Sequence, residues 1–321
     1  MLDYFFSLVK LLSSTLALSI ASLILFQRKL IYLPSVPNGS RKIVEKPEAF
    51  GTQILDCIVG WKDYESSEII TEDNVKLKCY FLFHPLKNKV PTLIYFHGNA
   101  GNIGHRITLA VSFIRNVQVN VLLVSYRGYG LNEGSPTEHG LKLDGEASLQ
   151  YVLKHNVSDN NMGILLYGQS LGGAVAIHVA SKYLPQVSGL ILENTFTSLI
   201  DLVPKFMPII PKPMYRFVFD KWLSVDALNL LKENEKKFQK RTLPIIILSG
   251  LKDEIIPRSH SLSLFKVATD TNIDIDLAKT VSMSIGKRCI VGFPSGTHND
   301  TCVMPGYSLA IQRFIDKYIR I

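Results

Sequence analysis

Ser170 stands between Gly168 and Gly172 in the string LLYGQSLGGA, residues 165–174. A G-x-S-x-G spacing suits a serine nucleophile on a turn so sharp that its backbone is strained and its neighbours must lack bulk. A serine hydroxyl is a weak nucleophile until a base takes its proton and an acid orients that base. The histidines that follow Ser170 along the chain, His178, His260 and His298, are the candidate bases. His178 lies two turns into the following helix and is expected to face away, and His260, in the helix after KDEIIPRS, reads as a surface residue. His298 sits in FPSGTHND, a Gly-containing loop between the strand-like run 289–293 and the last helix, and is the base expected here. Asp253 follows LPIIILSGLK, a buried run and a tight turn, and would hold the imidazole tautomer and stabilise the imidazolium. Two rival acids are weighed behind it. Glu193 ends the previous strand and would serve a variant topology, while Asp300 is too near His298 in sequence to support the ring from behind.

The oxyanion of an acyl-transfer intermediate is held by backbone N–H groups. One is expected from Leu171, the residue after the nucleophile, and the other from Asn99 in TLIYFHGNAGNIGHR, where His97 and Gly98 let the backbone approach. The loop SYRGYGLNEG is glycine-rich, and structural roles are expected for its Arg127 and Tyr129, with Asp144 as a helix-dipole or packing carboxylate. No phosphate-loop spacing is present, and Cys57, Cys79, Cys289 and Cys302 have no zinc or disulfide spacing, so no metal and no cofactor is expected.

The elements that must position these groups follow from apolar patterning. The runs at 92–96, 119–126, 162–168, 187–193 and 243–250 are continuously apolar, as in strands buried on both faces, and 75–83 alternates like an antiparallel strand. Helical spacing falls at 103–115, 138–154, 171–183 and 307–318. Strand and helix in alternation mean a mostly parallel sheet with helices on both faces. The proline-interrupted stretch 195–241 falls between two core strands and reads as a small helical cap.

The 321 residues carry a net charge of +8, but the basic residues are scattered apart from a group at 232–241, which reads as a solvated helix face; nucleic acid is not an expected partner. Leu11–Phe26 is uncharged, and from Tyr4 to Phe26 at about 1.5 Å per residue it is long enough to cross a bilayer. No small-residue cleavage site follows, and Gln27, Arg28 and Lys29 resemble a stop at the headgroup layer. The expected organisation is therefore a transmembrane anchor over 1–30, a linker over 31–60 and a catalytic domain over 61–321. The orientation of the anchor is open. Sequons at Asn38, Asn156 and Asn299 permit a luminal domain, whereas Arg28, Lys29, Arg41 and Lys42 favour a cytosolic one.

With FHGNAGNIGHR, SYRGYG, GQSLGGAVA, ENTFTS, SGLKDEIIP and GTHND in that order, the chain resembles the α/β-hydrolase superfamily, in its BEM-forty-six-like branch, from about residue 61 to the end. That branch is related to a group of protein depalmitoylases. The resemblance implies the α/β-hydrolase fold, Ser170, Asp253 and His298 as a triad, and a membrane anchor. Two departures stand out: the segment 269–288 is longer than is usual between the acid and base strands, and the cysteine-rich amino terminus of the depalmitoylases is replaced by a hydrophobic span. The expected activity is a membrane-anchored serine esterase or thioesterase, with a lipid ester or S-acyl protein as substrate and the lipid bilayer as partner. The expected location is the endoplasmic reticulum or another endomembrane. The alternative is a non-catalytic membrane scaffold on the same fold, acting in polarity or trafficking.

Overall fold

The continuous apolar runs form the centre of a nine-stranded sheet in the computed structural model, which describes residues 2–50, 64–155, 162–238, 242–273, 275–277 and 281–320. The strands are β1 (Tyr64–Ile70), β2 (Lys76–Leu82), β3 (Thr92–Phe96), β4 (Asn120–Val124), β5 (Ile164–Gln169), β6 (Gly189–Glu193), β7 (Ile245–Gly250), β8 (Ser282–Ile285) and β9 (Arg288–Phe293). Their order is β1-β2-β4-β3-β5-β6-β7-β9-β8. From β4 to β9 every neighbouring pair is parallel, and β1, β2 and β8 add antiparallel edges.

Successive side chains on a strand point to opposite faces, and the core divides accordingly. Ile94, Phe96 and Leu166 pack on one side, Leu93, Tyr95, Leu165 and Tyr167 on the other. Helices cover both sides: α2 (Ile107–Val117), α3 (Glu138–His155), α4 (Leu171–Lys182), α6 (Ser224–Lys237), α7 (Arg258–Thr269) and α8 (Tyr307–Tyr318), while α5 (Leu199–Phe206) belongs to the excursion between β6 and β7. From β3 the chain moves to one side to form β4 and then returns past β3 to form β5. The carboxyl ends of β3 and β5 therefore lie together where the winding reverses, the position at which open α/β sheets build sites.

Between β6 and β7 the chain leaves the sheet. Ser198 Oγ accepts the amide of Asp201 to start α5, Pro204 lies inside that helix, and a 3-10 turn follows at Lys212–Phe217. The excursion is shorter than the expected 195–241, because α6 returns to the core: Leu228 and Leu231 are buried, and the helix packs against α4 and α7. The long segment after α7 contains the short edge strand β8, paired with β9.

The first helix, α1, runs from Leu2 to Ile31. The side chains at 3, 12, 16–20 and 22–24 lie outside the described ones. Among the described residues no helix is long and apolar enough to cross a membrane, so the expected span is present here as a helix only. Residues 31–50, expected as a linker, lie against the sheet-and-helix domain. Arg41 Nη1 donates to the carbonyls of Gly130 and Asn132, Asn102 Nδ2 to those of Ser40 and Ile43, and the Gly101 amide to that of Val36. Cys57, Trp61 and the sequon residue Asn156 lie outside the described residues.

Candidate active site

Ser170 joins β5 to α4 with φ +53° and ψ −118°, a strained conformation for a residue with a side chain. Three contacts hold it. Its amide donates to the Glu193 carbonyl at 2.9 Å, and its own carbonyl accepts from Thr195 Oγ1 at 2.7 Å and from the Gly173 amide at 2.9 Å. The glycines are required by space. A Cβ at Gly168 would overlap the Gly172 carbonyl and stand 2.5 Å from Gly173 Cα, and one at Gly172 would overlap the Phe96 carbonyl. Leu171 opens α4, so its N–H lies at the helix end where the dipole favours negative charge.

The loop after β3 closes on the serine. A Cβ at Gly98 would lie 3.7 Å from Ser170 Cβ and 3.5 Å from Gln169 Oε1. His97 is fully buried beneath it: Nδ1–H donates to the Gly98 carbonyl at 2.7 Å, Tyr126 Oη donates to the His97 carbonyl, and the imidazole packs on the Tyr126 ring at 4.3 Å. Burial, reinforced by Arg106, pushes the His97 pKa down to about 3, so the ring is neutral. Asn99 is fixed through its side chain, its carboxamide bonding the main chain at Ile31 and Leu33.

Asp253 lies just past β7 and His298 past β9, one strand apart. His298 Nδ1–H donates to Asp253 Oδ2 at 2.8 Å, and Asp253 Oδ1 accepts the amides of Ile255 and Ile256 at 2.8 and 2.7 Å. The acid is thus locked by backbone on one oxygen and engaged with the ring on the other, which leaves His298 Nε2 available as a base. Among the described residues no hydrogen bond joins Ser170 Oγ to His298. Both are buried, at 7% and 6% exposure, and the neighbouring residues Asn194 and Thr195 hold them from behind.

Neither residue carries a motif that marks it in the sequence. Asn194, at φ +45°, donates through Nδ2 to the carbonyls of Thr297 and His298 and to Thr301 Oγ1, and its Oδ1 accepts the Gly250 amide at 2.8 Å. It therefore ties the end of β6 to the end of β7, three residues before Asp253, and to the loop that holds His298. The only sequence signal is the string ENTFTS directly after a buried run.

The family model described as the alpha/beta hydrolase fold matches residues 91–229. Over 291 residues the chain is 37% identical to protein bem46 of Schizosaccharomyces pombe, covering 90% of this chain and 86% of that one. The chain belongs to the α/β-hydrolase family, in the bem46 branch. The alpha/beta hydrolase domain-containing protein WAV2 of Arabidopsis thaliana is 32% identical, covering 93% of this chain and 90% of that one. An uncharacterized membrane protein of Saccharomyces cerevisiae is 33% identical, covering 93% and 92%. Among solved structures, an α/β hydrolase of Vibrio vulnificus has a TM-score of 0.63 at 18% identity, covering 90% of this chain and 92% of that one. An esterase of Pyrococcus furiosus has a TM-score of 0.62 at 17% identity, covering 90% and 98%.

In this α/β hydrolase the rival acids and bases are engaged elsewhere. Glu193 is buried among Tyr167, Tyr307 and Gln169, all donating to it, and burial raises its pKa. Asp300 accepts the Thr297 amide at 2.6 Å. His178 donates to Glu146 at 2.8 Å, and His260, expected at the surface, is buried with Nδ1 2.8 Å from Thr197 Oγ1. The hydrolase's Arg127 is structural: it grips buried Asp144 through its amide and Nε and Asp73 through both Nη atoms. Burial pushes the Asp144 pKa up to about 6 against the pull of that guanidinium. Among the described residues no cluster of side chains could hold a metal ion.

Proposed function

We propose that this α/β hydrolase cleaves carboxylic esters or thioesters through an acyl-enzyme. Ser170 attacks the carbonyl, His298 takes the hydroxyl proton and returns it to the leaving group, Asp253 orients the imidazole, and the amides of Asn99 and Leu171 hold the oxyanion. Water then attacks the acyl-enzyme with His298 as base, releasing the acid. The observation that carries this reading is the buried Asp253–His298 pair at the same sheet edge as a serine on a strained, glycine-flanked strand–helix turn. The name of the Pyrococcus furiosus neighbour, an esterase, agrees with the reaction class.

The substrate we propose is a lipid ester or an S-acyl protein, met at a membrane of the endoplasmic reticulum or another endomembrane. Support comes from the uncharged stretch Leu11–Phe26, from the Saccharomyces cerevisiae relative named a membrane protein, and from the exposed apolar side chains Phe206, Ile209 and Phe219 of the cap. A panel of p-nitrophenyl esters and acyl thioesters of rising chain length, presented in micelles, tests the chemistry. Turnover lost in Ser170→Ala is expected; turnover equal in that variant would overturn the assignment. Carbonate extraction of cell membranes tests the anchor, which is expected to keep the chain in the pellet, and release into the supernatant would contradict it.

A further inference from the structure

The residues at the end of α1 and just after it touch two parts of the fold at once. On one side is the loop after β3. The Asn99 carboxamide donates to the Ile31 carbonyl through Nδ2, and its Oδ1 accepts from the Leu33 amide at 3.3 Å and from Tyr129 Oη at 2.7 Å. The same Tyr129 hydroxyl lies 3.2 Å from the Asn99 carbonyl. Leu33 forms a parallel bridge with Ala100, and the Gly101 amide donates to the Val36 carbonyl at 2.6 Å. On the other side is the cap. Trp222 Nε1 donates to Tyr32 Oη at 3.0 Å, Gln27 bonds both the Phe217 carbonyl and the Phe219 amide, and Arg28 meets Asp220 at 3.3 Å.

Nothing in triad chemistry requires these contacts. Yet they converge on the residue next to Gly98, where the loop lies against Ser170. A carboxamide bonded through both its oxygen and its nitrogen to a neighbouring main chain restrains its own rotation and, with the Leu33–Ala100 bridge, the loop it springs from. Oxyanion donors work by being fixed before charge develops.

We infer that the side chains of Asn99 and Tyr129 are positioning groups for the oxyanion loop, acting through the main chain of residues 31–33. The seated exit of α1 is then part of what makes the site competent. The inference rests on the serine-hydrolase reading for its kinetic consequence but not for its structural one.

The test uses the full chain in detergent micelles, with Asn99→Ala and Tyr129→Phe. The second is the milder change, since it keeps the ring against His97 and Tyr126 and deletes only the hydroxyl. Loss of a whole oxyanion donor lowers kcat about 10²–10³-fold, so a donor that remains but wanders is expected to cost ~10–100-fold in Asn99→Ala and ~3–10-fold in Tyr129→Phe. KM for p-nitrophenyl acetate should stay within about twofold, because substrate contacts are unchanged. Amide hydrogen exchange over residues 98–101 should quicken in both variants while exchange in β5 and β7 is unaltered. Unchanged exchange in the loop overturns the inference whether or not the protein turns over ester. Quickened exchange with wild-type kcat overturns it as well. Absence of turnover in the wild type would instead sink the hydrolase reading, and the exchange arm still decides whether the loop is held from residues 31–33.

Discussion

His298 Nδ1 and Asp253 Oδ2 are 2.8 Å apart, and the other Asp253 oxygen is held by two backbone amides. An acid pinned in this way has one orientation to offer the ring. It fixes the tautomer that leaves Nε2 bare. Asp253→Asn keeps the shape but places an amide where the ring needs an acceptor, and kcat is expected to fall about 10³–10⁴-fold with little change in KM. Steady-state kinetics on a short p-nitrophenyl ester check this. Asp300→Asn, which retains the oxygen that accepts the Thr297 amide, should stay within about threefold of wild type.

The turn around Ser170 tolerates no added carbon. A Cβ at Gly172 meets backbone from two residues, Phe96 and His97, and backbone cannot swing aside as a side chain can. Gly172→Ala is expected to cost ~3 kcal/mol or more, read from urea unfolding, or to prevent folding altogether. A variant with wild-type stability would mean that the close approach of α4 to β3 is wrong.

Asn194 joins three elements through one carboxamide. Removing it leaves the buried Gly250 amide without its acceptor, at about 1–3 kcal/mol, and takes one donor from the Thr297 and His298 carbonyls. Asn194→Ala should therefore lower Tm by several degrees and reduce kcat roughly tenfold through the loosened His298 loop. Asn194→Asp should not restore activity, since it keeps the acceptor for Gly250 but turns a charged oxygen toward the carbonyls of Thr297 and His298. Full rescue by Asp would refute the account of this residue.

Stability should depend on pH through His97. Its folded pKa is about 3 because the ring is buried, against about 6.5 in an unfolded chain. Between those values the unfolded state binds the extra proton. The stabilisation from keeping His97 neutral is thus complete above pH 6.5 and declines as pH falls toward 3, by at most about 1.4 kcal/mol per unit. Unfolding measured from pH 7 to pH 5 should show a shallower acid decline in His97→Gln than in wild type. Parallel curves would show that His97 does not titrate as described.

Much of this arrangement is legible in the sequence because burial on both faces leaves continuous apolar runs. β3 falls at 92–96 and α8 at 307–318, matching their patterns, and the residues at the carboxyl ends of β5, β7 and β9 are those selected by type and order. β1 and β8 escape notice for the opposite reason: they are edge strands, largely exposed, with polar sequences YESSEII and SMSI that carry little apolar alternation. Ser224–Lys237 reads as part of the cap because its many charges hide a narrow apolar stripe, and only the presence of α4 shows where Leu228 and Leu231 go. Asn194 and the contacts of residues 31–43 are invisible for a different cause. Their bonds run largely to main-chain atoms, which every residue has, so no periodicity records them.

The proposed chemistry depends on Ser170 being a nucleophile activated by His298. Reacting the intact protein with a fluorophosphonate probe and locating the adduct by mass spectrometry of peptides tests it most directly. Stoichiometric modification at Ser170 is expected, with strong slowing in His298→Ala and Asp253→Asn and no modification in Ser170→Ala. Modification that persists in folded Ser170→Ala, or a folded wild-type protein that never reacts, would contradict it, the latter in favour of a scaffold built on a hydrolase fold.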